Sequence, residues 1–484
     1  MTAKELEKKV LEKAIEFGLF TQKMKDAGGK KPGGPNAVVR SNLNTFNLPN
    51  PECYFGYIRP EEDIKNAYHD LSFVIFPQEN KGKCVVSIGV GSAGFQRDYD
   101  LVSTAGTRRL FTRLTQPDGN SFIKNDFTDI DNPIIELHDR IANDEGLQDL
   151  MSVINQYNKL NKAVLLASRI VDPDTEEGFK VIVAWLAQYA KLRNWGTNKD
   201  QRDKQNLAIS SCDNKKTIDI QKDIENLLNS KRFVVLQGAP GTGKTYNAVK
   251  ISKKYEQTHF IQFHAETTYA DFVEGIRPKL DGENIGYIRE YGILVKAIEA
   301  AQELENTGGR VLLIIDEINR ANLANVLGPV FYLFENQADI RKVKIKIGEH
   351  ELEKLPDNLN VIATMNTADR SLAVVDFALR RRFAWYTLRP QKIEPDSNQE
   401  FHKELFDRFC EIFDRYASDE ELNLQPGPSY FLTPKENSKD IMKERMIYEL
   451  LPLIKEYLAE GLMKKAADSF AQLFYEETDK YLYE

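Results

Sequence analysis

Residues 238–245 read Gly238-Ala239-Pro240-Gly241-Thr242-Gly243-Lys244-Thr245, a GxxxxGK[ST] pattern. Glycine-rich backbone can curl its amide N–H groups around phosphate oxygens, and a helix starting at the end of the motif turns its positive pole on the same charge. In such a motif Lys244 reaches the outer phosphates and the Thr245 hydroxyl ligates Mg²⁺. Gly238 to Thr245 are therefore the expected phosphate-binding residues. A second apolar run, Val311 to Ile315, ends in Asp316-Glu317. Asp316 is expected to hold Mg²⁺ with Thr245, and Glu317 to polarise the attacking water as general base. A third run leads into Ala363-Thr364-Met365-Asn366-Thr367, where the Asn366 amide can reach between a γ-phosphate and that water. Finally, Asp376 to Phe383 contains three adjacent cations, Arg380, Arg381 and Arg382. They would suit the negative pole of a helix end on a solvated face. The reading favoured by their position is that Arg381 and Arg382 complete a neighbouring subunit's site, which makes an isolated subunit a poor catalyst.

This chemistry needs acids and amides at strand ends and a phosphate loop between strand and helix. The pattern supplies both: strands are expected at Phe233–Leu236, His259–Phe263, Val311–Ile315 and Val361–Thr364, alternating with helices. That alternation predicts an α/β fold with a parallel sheet covered on both faces over 217–390, followed by a helical lid over 391–484. Residues 1–200 read as an α+β domain, with an amphipathic helix in 1–28, strands at Tyr54–Ile58, Leu71–Phe76 and Lys83–Val90, and helices at Ile134–Asn161 and Gly178–Lys191. The polar stretch 201–216 is the expected linker.

At 484 residues the chain is long enough for several domains, and 42% hydrophobic with 29% charged residues is ordinary for a folded protein. A net charge of −8 argues against coating nucleic acid by bulk electrostatics. The cysteines Cys53, Cys84, Cys212 and Cys410 form no CxxC pair, so no zinc site or disulfide framework is expected, and a cytoplasmic location fits. The N-terminal stretch has charges at helical spacing rather than a secretion signal, and no apolar run approaches membrane-spanning length.

Beyond the generic loop, three blocks carry a resemblance. Gln262-Phe263-His264 with Tyr269, Asp271-Phe272, Gly275 and Arg277-Pro278, then Ile314 to Asn322 (IIDEINRAN), then Met365 to Ser371 (MNTADRS) through Arg382-Phe383, resemble the McrB motor of McrBC-type modification-dependent (type IV) restriction systems. The likeness covers about 230–435; residues 1–200 match no domain of that family. It implies an AAA+ P-loop NTPase with Walker A and Walker B motifs, forming a hexameric ring that hydrolyses GTP, ATP remaining open. It further implies a McrC-like nuclease partner contacting Asn366, Thr367 and Asp369, and DNA bound through the N-terminal domain in an anti-phage role. The segment Gly427-Pro428-Ser429-Tyr430-Phe431 departs from the family's GHSYF-like stretch by Pro428. Two other readings are a MoxR-like remodelling ATPase acting on proteins and a nucleotide-gated ligand-binding assembly module.

Weaker signals point elsewhere. Gly89 to Gly94 fits GxGxxG without a clear helix behind it and reads as a turn. Asp174, Glu177 and Lys180 only faintly resemble a nuclease motif, so cleavage would need a partner. Tyr54, Phe55, Tyr57, Phe73 and Phe76 could stack on a flipped base but more simply pack a sheet. Arg97, Arg108, Arg109 and Arg113 are weak phosphate-contact candidates.

Overall fold

The computed structural model describes residues 1–20, 36–44, 53–59, 70–80, 82–90, 97–98, 101, 104–114, 121–123, 165–196, 198–212, 219–281, 284–335, 343–368 and 377–482. They divide into two compact units, 1–216 with 414–418, and 217–413 with 419–484.

The first unit is an antiparallel sheet of six strands: β1 (Val38–Asn42), β2 (Tyr54–Ile58), β3 (Leu71–Phe76), β4 (Cys84–Val90), β5 (Ser121–Ile123) and β6 (Leu165–Val171), in the order β1-β2-β3-β4-β6-β5. Central β3 is buried at every position, as a continuous apolar run should be. The helix Glu176–Leu192 packs Trp185, Leu186 and Tyr189 into the core with Phe55, Tyr57 and Phe73. Thr175 caps its first turn by accepting from Gly178 N. Helix Ala3–Glu16, closed by a Thr2/Glu5 capping box, adds Leu6 and Val10 to the same cluster. The strand aromatics Phe55, Tyr57, Phe73 and Phe76 are thus core, in the simpler of their two readings. Arg193 donates to both carboxylate oxygens of buried Asp98, at 2.8 and 2.5 Å.

Within the expected linker 201–216, the described residues 201–212 are mostly helical. A helix runs Lys199–Ser210, capped by Asn198, and Gln205 is buried with its amide donating to Phe17 O at 2.8 Å. A mostly polar helix reads as a linker, although Gln205 anchors it by a hydrogen bond and Ala208 and Ile209 pack against the core. Asp174 and Glu177 flank the cap of helix Glu176–Leu192, and Lys180 pairs with Glu176 at 2.6 Å. The expected helix 134–161, most of the GxGxxG turn and the stretch 21–28 lie outside the described residues.

The second unit is built on a five-stranded parallel sheet of β7 (Phe233–Gly238), β8 (Gln257–Gln262), β11 (Val311–Asp316), β14 (Leu359–Asn366) and β15 (Ala384–Thr387), ordered β15-β7-β14-β11-β8. One face packs against helices Ile220–Lys231 and Lys244–Ser252 through Ile224, Leu228, Ala248 and Ile251. The other carries the helix Ile293–Leu304 with Leu294, Val295 and Ile298. The expected parallel sheet covered on both faces is found. Two antiparallel ribbons had no sequence expectation: β9 (Glu274–Asp281) with β10 (Asn284–Tyr291), and β12 (Ile345–Ile347) with β13 (His350–Leu352). After residue 390 the chain is mainly helical, around Phe409, Phe431, Phe470 and Phe474, with one small ribbon of β16 (Gln399–Phe401) and β17 (Leu432–Pro434).

Candidate active site

Parallel register assembles the site. Strand β7 pairs with β14 so that Gly238 faces Asn366, and β11 pairs with β14 so that Ile315 faces Ala363. The phosphate loop, the Asp316-Glu317 pair and Asn366 therefore emerge together at the carboxyl edge of the sheet, where parallel sheets hold ligands.

The loop turns into helix Lys244–Ser252 at Gly243, whose φ of 86° lies in the left-handed region that glycine adopts without strain. Lys244 is buried, and its Nζ donates to Gly238 O at 2.9 Å and Ala239 O at 3.0 Å. Thr245 Oγ1 donates to Asp316 Oδ1 at 2.7 Å. A hydroxyl and a carboxylate oxygen in contact at the foot of a phosphate loop are a hard-oxygen donor pair, and they fit Mg²⁺.

Thr364 links the two acids. Its hydroxyl donates to Asp316 Oδ1 at 2.6 Å and accepts from Glu317 N at 3.0 Å. Glu317 takes up φ 54°, ψ 47°, a left-handed conformation uncommon outside glycine that costs on the order of 1 kcal/mol or more and concentrates at functional sites. Arg320 Nε donates to Glu317 Oε2 at 3.3 Å. Asn366 ends β14, with its side-chain oxygen accepting from Ala368 N at 3.1 Å, and buried Asn319 donates to Asn366 O at 3.5 Å.

The helical segment behind the sheet reaches the same loop. Gly427 N donates to Pro240 O at 2.9 Å and Ser429 N to Gly241 O at 3.3 Å. A Cβ on Gly427 would stand 2.0 Å from Gly241 C, so this approach requires glycine. Thr367 Oγ1 donates to Asn423 O at 2.7 Å, tying the end of β14 to the lid as well. Burial pushes the nearby Tyr430 phenol up, and Glu449 adds to the rise.

The arginines separate. Arg382 is buried, lies 4.2 Å over the Phe331 ring and pairs with Glu335 at 2.7 Å. Arg381 also reaches Glu335 at 2.7 Å, but its side chain is 69% exposed. Arg380 stacks over Trp385 at 5.5 Å. Of the pair expected to act across a subunit interface, only Arg381 lies open to solvent; stacking and a buried ion pair occupy Arg382 within its own chain. Asp369 lies outside the described residues.

The structure brings the expected loop, both acids and Asn366 to one sheet edge, and adds residues without a sequence expectation: Thr364 as a bridge, Asn319, Glu335 and the Gly427–Ser429 contact. Thr364 stood in the quoted run, and only the sheet register reveals its partners. Among the described residues no helix is long and apolar enough to cross a membrane, and no cluster of His, Cys, Asp and Glu is suited to a metal.

Residues 233–383 match the family model described as AAA domain (dynein-related subfamily). The chain is 32% identical over 268 residues to the type IV methyl-directed restriction enzyme EcoKMcrB subunit of Escherichia coli (strain K12), covering 49% of this chain and 56% of that protein. The second unit is a McrB-like AAA+ module. A type II restriction enzyme BsuMI component, YdiS of Bacillus subtilis (strain 168), is 29% identical over 202 residues, 33% of this chain and 57% of the relative. The chain thus spans a little over half the length of each curated relative. The McrB-like module accounts for the AAA+ fold with parallel sheet and helical region, and the residues matched by the family model, 233–383, lie within the second unit.

Proposed function

We propose that the McrB-like module hydrolyses a nucleoside triphosphate, GTP by resemblance and ATP as the alternative, in a restriction-type defence system. The observation that carries this is the direct contact of Thr245, Asp316 and Thr364 beside the buried Lys244, with Glu317 and Asn366 at the same sheet edge. Backbone amides of 241–245 bind the phosphates and Lys244 exchanges its carbonyl partners for phosphate oxygens. Thr245 and Asp316 hold Mg²⁺, which when bound neutralises charge on the β- and γ-phosphates. Glu317 orients and deprotonates the attacking water, Asn366 donates to it from the other side, and the exposed Arg381 serves a neighbouring subunit's nucleotide in a ring.

In this reading the ring acts with a McrC-like nuclease that contacts Asn366, Thr367 and Asp369, and the first unit binds DNA. The likeness to the Escherichia coli relative, a type IV methyl-directed restriction enzyme subunit, supports it. The test is phosphate release by the purified full chain with Mg²⁺ and GTP or ATP, alone and with the product of a neighbouring nuclease gene. No release from either nucleotide under either condition sinks the hydrolase reading. Equal binding of modified and unmodified DNA at every salt concentration sinks the modification-reading part.

A further inference from the structure

One carboxylate in the second unit holds two guanidinium groups. Glu335 Oε1 accepts from Arg381 Nη2 and from Arg382 Nη2, each at 2.7 Å. The two arginines otherwise have little in common. The Arg382 side chain is 7% exposed and stacked on Phe331, while that of Arg381 is 69% exposed. Glu335 follows a 3₁₀ segment, Gly328–Phe334, in which Val330, Leu333 and Phe334 are buried. Phe334 stacks on Phe383 at 5.6 Å, directly after the arginines, and packs edge-on against Phe233 of β7 at 5.4 Å. The carboxylate and the helix Phe377–Arg382 are thus fixed to one aromatic cluster of the core.

Resting on the reading of Arg381 as the arginine that serves a neighbouring subunit, we propose that Glu335 is its positioning residue. Partly buried Glu335 and buried Arg382 form the anchored half of the device and Arg381 the exposed arm. Adjacent guanidinium groups repel, and the shared carboxylate offsets that repulsion while both stay within reach. An arginine has many rotamers, and one already tethered loses less freedom when it docks on a phosphate. Arg382 is the counter-ion that keeps Glu335 in place, and it donates nothing across the interface.

The experiment measures nucleotide turnover by mixtures of full-length variants. Arg381→Ala loses turnover, and Glu335→Gln lowers kcat roughly ten- to a hundredfold, the scale of a misplaced catalytic group, with nucleotide affinity unchanged. The defect must map to the subunit that donates the arginine. Mixing Glu335→Gln with Lys244→Ala, which has an intact Arg381 but a disabled nucleotide site, restores turnover, whereas mixing Glu335→Gln with Arg381→Ala does not. A general folding defect would damage the nucleotide site of the Glu335→Gln subunit itself and give no rescue in either mixture, which overturns the proposal. Glu335→Gln turnover within about twofold of the wild type, with Arg381→Ala inactive, also overturns it. Wild-type turnover by Arg381→Ala would instead overturn the underlying reading of Arg381. Glu335→Asp keeps the charge but withdraws it by one methylene, and a loss that maps to the same side is expected; an Asp variant equal to the wild type counts against the proposal.

Discussion

Both units bury cations, and Arg193 of the first and Lys244 of the second are satisfied in different ways. In the first unit Arg193 meets both oxygens of Asp98 and lies over the rings of Tyr189 and Trp195 at 5.5 and 5.7 Å. Both side chains of that pair are about as buried as a core leucine, at 6% and 5% exposure. In the second unit Lys244 donates to two loop carbonyls, Gly238 O and Ala239 O. A full carboxylate closes the first arrangement. Gly238 O and Ala239 O are neutral acceptors that a phosphate, with more charge and more oxygens, can displace. The Arg193–Asp98 pair is thus complete within its own unit, whereas these two acceptors of Lys244 are ones that a phosphate can replace.

That contrast can be broken in several ways. The largest effect is expected from Glu317→Gln, which should lower turnover by on the order of 10²–10³-fold while the melting temperature and nucleotide affinity stay near wild type. Unchanged turnover would remove Glu317 from the chemistry. Asp98→Ala should show the opposite profile. It leaves Arg193 charged and buried, and should cost about 3–5 kcal/mol in denaturant unfolding of the first unit, with nucleotide affinity of the second unit unaltered. A cost below about 1 kcal/mol would mean the pair is not what closes that core. Thr364→Val removes the hydroxyl that serves both acids, and should destabilise the second unit by about 1–3 kcal/mol and reduce turnover together, because it leaves Glu317 N and one Asp316 oxygen short of a partner.

The smallest expected effect is a pH dependence. His402 Nε2 lies 2.9 Å from Thr433 Oγ1 and 3.0 Å from Ser438 Oγ, and those two hydroxyls lie 2.8 Å apart, a closed ring of contacts between β17 and helix Ser438–Arg445. Burial holds the imidazole below its ordinary value, with Glu400 opposing and Arg445 adding to the effect. A depressed folded-state value means that the unfolded chain binds the proton more readily. The contribution to stability is then complete above the ordinary histidine value of about 6.5 and is lost as pH falls through the lowered folded value. Denaturant midpoints of the second unit should therefore drop between pH 7.5 and 5.5, and His402→Gln should flatten the drop. His259, lowered chiefly by burial, contributes in the same direction, so the flattening should be partial.

Residue types and spacing alone were enough to locate the phosphate loop, the acid pair, Asn366 and the parallel sheet beneath them. A phosphate loop has to be glycine-rich and has to sit between strand and helix, and strands of a covered parallel sheet have to be apolar throughout, so local physics writes both into the chain. The helix Lys199–Ser210 and the ribbon β9–β10 were not legible: one is mostly polar, with Gln205, Ala208 and Ile209 as its inward contacts, and the other exposes Ile276 at 76% and Tyr287 at 75%. Tertiary structure decided which groups meet. Thr364 became the bridge between Asp316 and Glu317 only through the offset of β11 against β14. Gly427 met Gly241 across most of the module's length in sequence. Arg381 and Arg382, neighbours of identical chemistry, were parted into an exposed arm and a buried anchor because helix geometry points successive side chains in different directions: both reach Glu335, and only Arg382 lies over Phe331.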